Sequence, residues 1–271
     1  MAMRREDVVV FVLCGGLGTR LKEETEFRPK PMVPVGGRPI VWHIMRGYAQ
    51  YGFRKFVLCL GYKAEVVKEY FLNYASLASD FSVRLKTNEV EVHSIAHQED
   101  WDVTLVDTGG LTMTGGRVAR AAKKYLGDAE HFAVTYGDGV TDADFAKEFA
   151  FHLEHGKLGT VLGVNPPSRF GELRLEGDRV MTFAEKPKFT DTWINGGFFF
   201  FRRGFMDYLS EDEGCVLEQR PLVRLADDGE LCIFRHRGFW HCMDTQRDRD
   251  ALEGMWASGE APWCNGGDRS S

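Results

Sequence analysis

The chain has 271 residues, 44% hydrophobic and 27% charged, enough for a sizeable buried core without a disulfide or metal staple. Against 40 Asp and Glu, 34 Lys and Arg leave a net charge of −6, which argues against a nucleic-acid partner or an anionic membrane surface. Its 6 cysteines include no C-x-x-C pair, no run of about 20 apolar residues occurs, and the N-terminus lacks a signal-peptide pattern, so a reducing cytoplasm is the expected home.

Residues 8–13 form a continuous apolar run, as a parallel strand buried on both faces requires. The run breaks into Gly15-Gly16-Leu17-Gly18-Thr19-Arg20, and Pro29-Lys30-Pro31-Met32 follows. Helical patterns over 39–51 and 64–74 enclose a second buried strand at 55–60, with Val66, Val67, Tyr70 and Phe71 on one helical face. Alternation of strand and helix predicts parallel pairing with right-handed crossovers. Residues 81–86, 89–94 and 103–106 alternate with polar neighbours and read as edge strands or a β excursion.

A helix over 115–126 leads to a strand at 131–135 that ends in Tyr136-Gly137-Asp138-Gly139. The next helix, 142–155, is expected to bury Phe145, Phe149 and Leu153 on one face, before a buried strand at 160–164. Beyond residue 166 the pattern is richer in β. Strands 172–175 and 180–185 flank the turn signal Glu176-Gly177-Asp178. Residues 194–201 are strongly apolar, 205–209 and 217–226 read as helical, 231–235 and 239–243 as strands, and 245–256 as a terminal helix. The expected class is α/β: a Rossmann-like, mixed but mostly parallel sheet flanked by helices, with a small β-rich part. Without repeats or an obvious linker, residues 1–264 read as one domain, and the Gly/Ser/Asp-rich tail 265–271 as disordered.

A buried strand feeding a glycine loop suits a polyphosphate, because glycines let backbone N–H groups approach phosphate oxygens and Arg20 and Lys30 can balance the charge. The dinucleotide fingerprint G-x-G-x-x-G fails for want of its third glycine, and the Walker pattern is absent, so nicotinamide chemistry and P-loop hydrolysis both lose support. Asp138 sits where a strand ends, at the carboxyl edge that forms the ligand crevice of such sheets. Asp244 also follows an apolar strand, although Asp244-Thr245 before a helix could equally be a cap. Cys232, His236, His241 and Cys242 lie close in sequence, but their spacing fits no usual zinc pattern, and His241 and Cys242 should face opposite sides of a strand.

Gly15–Leu21 with the Pro29–Met32 run resembles the sugar-1-phosphate nucleotidyltransferases. Leu105-Val106-Asp107-Thr108-Gly109, Thr114-Gly115-Gly116-Arg117, Thr135-Tyr136-Gly137-Asp138-Gly139, Arg169-Phe170-Gly171, Glu185-Lys186-Pro187-Lys188, Ile194-Asn195-Gly196-Gly197 and Met243-Asp244-Thr245 follow in that family's order, from about residue 8 to 263. The segment 76–102 resembles the cytidylyltransferase branch. Cys14 stands where the family usually has Ala, Arg28 where Lys is usual, and Glu172 where a small residue is common.

The resemblance implies CTP and α-D-glucose 1-phosphate as substrates, with CDP-glucose and pyrophosphate as products. It implies a nucleotide-binding half over about 8–140 and a sugar-binding half over about 141–264. Gly15, Gly16, Gly18, Thr19, Arg20, Lys30, Thr114, Gly115 and Arg117 would hold the nucleotide, with Arg20 and Lys30 as catalytic cations. Tyr136, Gly171, Glu185, Lys186 and Asn195 would hold the sugar phosphate, and Asp138 and Asp244 would hold Mg2+. It also implies a homo-oligomer, trimer or hexamer, with 81–106 as an interface candidate.

The nucleophile in such a reaction is ionised at neutral pH, so no general base is needed, and alignment and charge neutralisation carry the chemistry. Asn195 inside an apolar strand implies hydrogen-bond partners for a buried amide. The rival readings are the same reaction with dTTP, UTP or another sugar 1-phosphate, and a non-catalytic sugar-nucleotide sensor, which has no need of two metal carboxylates.

Overall fold

The computed structural model describes residues 4–93, 99–166, 172–176, 178–184 and 192–264. The expectations for the tail 265–271 and for Gly177 at the turn lie outside the described residues.

One seven-stranded sheet organises the chain: β1 (Val9–Cys14), β2 (Lys55–Leu60), β3 (Asp102–Asp107), β4 (His131–Tyr136), β5 (Gly159–Val164), β6 (Ile194–Arg202) and β7 (Leu231–His236). Their order is β7-β5-β6-β4-β1-β2-β3. All neighbours pair in parallel except β6, which runs antiparallel to both β5 and β4. The sheet is therefore mixed and mostly parallel, as expected.

Both faces of β1 are buried, which explains its unbroken apolar run. Val10, Val12 and Cys14 join one core with Ile40, Ile44 and Tyr48 of helix α1 (Ile40–Ala49). Val9, Phe11 and Leu13 join a second core on the opposite face. There Val118 and Ala121 of α3 (Thr114–Tyr125) and Leu222 and Leu225 of α5 (Arg220–Asp227) cover the sheet. Period-2 alternation of side chains makes this two-sided burial possible.

Several elements differ from the sequence reading. Helix α2 stops at Leu72 (Ala64–Leu72), and a separate turn, Tyr74–Ala78, follows Asn73. Helix α4 starts at Phe145 (Phe145–His155), where the Asp144 carboxylate accepts from Lys147 N–H at 3.0 Å. Leu153 does not share its buried face and is 38% exposed. Each i+4 step overshoots a full turn by about 40°, so two steps from Phe145 carry Leu153 off the stripe. The helix expected from 217 starts at Arg220, with Pro221 in its first turn.

Residues 103–106 belong to the edge strand β3, while Phe81–Arg84 and Glu89–Val92 form a separate hairpin. The strand expected over 239–243 is not in the main sheet: Trp240–Cys242 pairs antiparallel with Gly139–Thr141. That ribbon brings the segment before Asp244 alongside Asp138. Helix α6 (Gln246–Ala257) then begins with a capping box between Thr245 and Asp248.

Three histidines and Thr160 in the core beside α4 satisfy one another. Lys157 N–H donates to His155 Nδ1 at 2.9 Å, so Nε2 carries the His155 proton and donates to Thr160 Oγ1 at 2.7 Å. The Thr160 hydroxyl then donates to His152 Nδ1 at 2.8 Å, and His152 Nε2–H to His131 Nδ1 at 3.1 Å. The proton count closes with His152 and His155 neutral. Burial depresses all three rings, His152 to about 3, and takes His43 in the first core to about 4. Glu148 of α4 is fully buried, neither carboxylate oxygen has a hydrogen-bond partner among the described residues, and burial raises its pKa.

The signs oppose. An unfolded histidine takes up a proton below about pH 6.5, so the stability these rings contribute is present above that pH and lost as pH falls. Glu148 stays protonated when folded but ionises in the unfolded chain above about pH 4.5, so its share of stability falls as pH rises. Urea unfolding between pH 7 and 5 should show a smaller acid loss for His152→Gln, by about 2 kcal/mol. Glu148→Gln should show a larger acid loss than the wild type. Parallel pH profiles for the three proteins would contradict this account.

Candidate active site

The glycine loop leaves the carboxyl end of β1 and is held from beneath by Arg117. This guanidinium is 4% exposed and has five oxygen acceptors. Its Nη1 donates to Leu60 O, Thr108 Oγ1 and Gly109 O, each at 2.8 Å, and its Nη2 to Gly15 O at 2.9 Å and Gly110 O at 3.3 Å. A Cβ on Gly15 would lie 2.2 Å from Arg117 Cζ, and one on Gly61 2.4 Å from Nη1. Those two glycines make room for the arginine. Gly16 has no heavy atom within 4 Å of its would-be Cβ and faces open space. Gly18 has φ +63°, and Thr25 Oγ1 donates to its carbonyl at 3.1 Å, folding the loop back on itself.

Across from the loop, Lys30 Nζ donates to Asp138 Oδ2 at 2.5 Å and to Asp244 Oδ1 at 2.6 Å. Arg20 Nη1 donates to the other Asp244 oxygen at 2.8 Å. Burial opposes the charge on Lys30, but Asp138 and Asp244 outweigh it and raise the lysine above its usual pKa. Burial likewise works against the Asp244 carboxylate, yet Lys30 and Arg20 hold it below the ordinary range. Asp244 does not cap α6; Thr245 does. This separates the two roles that sequence left open for the Asp244-Thr245 pair.

Asp138, Asp244 and the Cys242 thiol each bring a donor atom within 4.8 Å of the others. Two carboxylates at such a distance repel by about 4 kcal/mol at an effective dielectric of about 20, and a cation, Lys30 Nζ, already sits between them. Oxygen donors around a cation-seeking space fit a hard divalent ion. The thiol is a soft donor, kept protonated by burial and then by Asp138, and does not belong to that set. His241 turns away from Cys242 towards Asp248, at 3.4 Å, and His236 Nε2 lies 2.8 Å from Asp142 Oδ1. The Cys/His cluster therefore forms no metal group among the described residues.

A cavity of about 310 Å³ joins these parts. Gly15, Gly16, Gly18, Thr19, Arg20, Lys30, Thr114, Arg117, Tyr136, Asp138 and Asp244, all expected from sequence, line it together. Gly115 does not; it presses against Cys215, whose Sγ would lie 2.7 Å from its Cβ. Asn195 sits beside the lining, its Nδ2 donating to the Tyr136 hydroxyl at 3.3 Å. Contrary to expectation it is exposed. The β5–β6 register slips between Val161 and Gly163, and Gly197 has φ +82°, so a bulge turns Asn195 outward. Gly171, Glu185 and Lys186 lie outside the described residues.

Sequence reasoning missed Glu218, whose carboxylate accepts from the Tyr136 hydroxyl at 2.5 Å and from Thr114 Oγ1 at 2.8 Å. It stands in a polar run before a helix with nothing to distinguish it from a solvated acid.

Residues 9–224 match the nucleotidyl transferase family. The chain is 50% identical to the glucose-1-phosphate cytidylyltransferases of Salmonella typhi and Salmonella typhimurium, over 93% of its own length and 97% of theirs. Its fold is similar to that of HddC from Yersinia pseudotuberculosis, with a TM-score of 0.67 at 23% identity, covering 92% of this chain and 99% of that one.

The two adjacent glycines should behave differently. Arg117 is held by five acceptors and cannot swing aside, so Gly15→Ala should lower stability by about 2 kcal/mol or more. Gly16→Ala should stay within about 0.5 kcal/mol of wild type. Chemical denaturation of both variants checks this; equal losses would remove the distinction.

Proposed function

The chain belongs to the nucleotidyl transferase family, and we propose that it transfers the cytidylyl group of CTP to α-D-glucose 1-phosphate, releasing CDP-glucose and pyrophosphate. The observation that carries this reading is the meeting of Lys30 with Asp138 and Asp244 opposite a glycine loop, in a chain half identical to enzymes named for that reaction.

A phosphate oxygen of the sugar attacks the α-phosphorus, forming one P–O bond while the bond to the β-phosphate breaks and pyrophosphate leaves with the electron pair. Gly15, Gly16, Gly18 and Thr19 present backbone N–H groups to the triphosphate, and Arg20 grips its oxygens with a planar fork. Lys30 neutralises phosphate charge from the opposite wall. Thr114, Gly115 and Arg117 shape the nucleotide side, with Arg117 acting by fixing Gly15.

Tyr136 and Asn195 are assigned to the sugar from their place beside the cavity, and Gly171, Glu185 and Lys186 from their sequence motifs alone. Asp138 and Asp244 are the residues that would hold Mg2+, which when bound supplies charge neutralisation at the reacting phosphates. Positioning and electrostatics then lower the barrier without a general base.

One domain spanning 1–264, with a nucleotide half over about 8–140 and a sugar half over about 141–264, fits this division of labour. No helix among the described residues is long and apolar enough to cross a membrane, and all six cysteines are free, which supports a cytoplasmic site of action. Exposed Phe81, Val83, Leu85 and Val90 on the hairpin support assembly with further copies, and the trimer or hexamer is proposed on the family resemblance alone.

A pyrophosphate-release screen of four nucleoside triphosphates against a panel of sugar 1-phosphates should give its highest kcat/KM with CTP and glucose 1-phosphate. A different best pair would displace this reading. Asp138→Asn and Asp244→Asn should each lose about 100-fold or more in kcat while keeping a folded circular-dichroism spectrum, and Lys30→Ala should fall by a similar factor. Near-normal turnover at saturating Mg2+ in either Asp variant would remove that carboxylate from the metal site.

A further inference from the structure

We propose that Glu218 is a positioning residue for the sugar side of the site, acting through Tyr136 and Asn195; the inference rests on the cytidylyl-transfer reading above. Glu218 is delivered by a backbone locked across the start of α3. Met113 N–H donates to Glu213 O at 2.8 Å, and Gly116 N–H donates to Cys215 O at 3.0 Å. A Cβ at Gly116 would lie 2.6 Å from Asp212 O, so the crossing segment and the helix are in direct contact. The carboxylate therefore reaches the cavity rim from a fixed base, although its own outer side faces solvent.

Its two oxygens are bound to hydroxyls of two cavity-lining residues, Tyr136 and Thr114. The two bonds are not equivalent. Thr114 Oγ1 also accepts from Leu217 N–H at 2.9 Å, so it stays anchored if Glu218 is removed. The second contact of the Tyr136 hydroxyl is weaker: the exposed Asn195 side chain donates to it from Nδ2 at 3.3 Å in place of a backbone N–H, and Glu218 is the acceptor for its proton. Asn195 Oδ1 accepts from Gly197 N–H at 2.8 Å, and the Tyr136 ring packs where a Gly197 Cβ would come within 2.4 Å of Cδ2. One chain of contacts thus runs from Glu218 through Tyr136 and Asn195 to the bulge of β6. Loss of its head removes the acceptor that orients the Tyr136 hydroxyl, and so loosens the Nδ2 side of the Asn195 amide, while the nucleotide-side threonine keeps its place.

The test is steady-state kinetics with each substrate varied separately, on wild type, Glu218→Ala, Glu218→Gln, Tyr136→Phe and the Glu218→Ala/Tyr136→Phe double variant. Glu218→Ala should raise KM for glucose 1-phosphate about tenfold and change KM for CTP less than about twofold. Glu218→Gln should recover most of the loss, because its amide oxygen still accepts from Tyr136. The double variant should be no worse than Tyr136→Phe alone, since both changes break one chain.

A merely structural glutamate would move both KM values and Tm together, and its effect would add to that of Tyr136→Phe. Either result, or an unchanged sugar KM, overturns the inference. If the screen selects another sugar 1-phosphate, the same five proteins are compared with that substrate. Calorimetric binding of the sugar phosphate gives the same comparison without turnover, so the two readings fail separately.

Discussion

The site depends on a buried guanidinium that, among the described residues, is held by carbonyl and hydroxyl oxygens and not by a salt bridge. Arg117 gathers oxygens from the ends of three parallel strands: Gly15 after β1, Leu60 at the end of β2, and Thr108 to Gly110 after β3. A buried Arg cannot be deprotonated at working pH, so its buried donors need acceptors, and backbone carbonyls and one hydroxyl supply them to Nη1 and Nη2. That requirement draws the three strand ends together and dictates where the chain must lack a Cβ, at Gly15 and Gly61. The charge is solvated mainly by dipoles, with Asp107 the nearby carboxylate acting on it, and it places a cation beneath the loop.

Above that cation the charges are balanced in advance. Lys30 and Arg20 face Asp138 and Asp244, two cations against two anions. A polyanion that recruits the cations leaves the carboxylates uncompensated, and a metal ion that recruits the carboxylates frees the cations. Each ligand therefore improves the site for the other, and this coupling is reciprocal by thermodynamic necessity. The raised Lys30 and lowered Asp244 pKa values have the same origin: each group keeps its charge because its partners are within hydrogen-bond distance.

How much of this was legible in the sequence follows from the range of each interaction. The buried strands were, because two-sided burial writes a continuous apolar run in β1 and β2 regardless of what packs against them. The place of Asp138 at the cavity was, because the carboxyl end of a parallel strand opens into the crevice of such sheets. Whether Asp244 or Thr245 caps the last helix was decided only in the structure, a local competition that either residue could have won.

Features set by partners distant in sequence left no local trace. The antiparallel direction of β6 depends on which neighbours it joins. The outward turn of Asn195 depends on a register slip against β5. Glu218 owes its place to contacts with Thr114 and Tyr136, 104 and 82 residues earlier in the chain. Arg117 was singled out, but its direction, into the protein and onto the loop's carbonyl, was not readable from its motif.

The reversed strand has a consequence for chain length. Because β6 runs against β5, Ile194 pairs with Val164, so the chain between them leaves and re-enters the sheet at the same edge. The hairpin Glu172–Glu176 with Arg179–Ala184 hangs from that edge and contributes no strand to the main sheet. Closing such an excursion costs only slowly more free energy as it lengthens. Its length can therefore change without disturbing the strand ends that carry the glycine loop and Asp138.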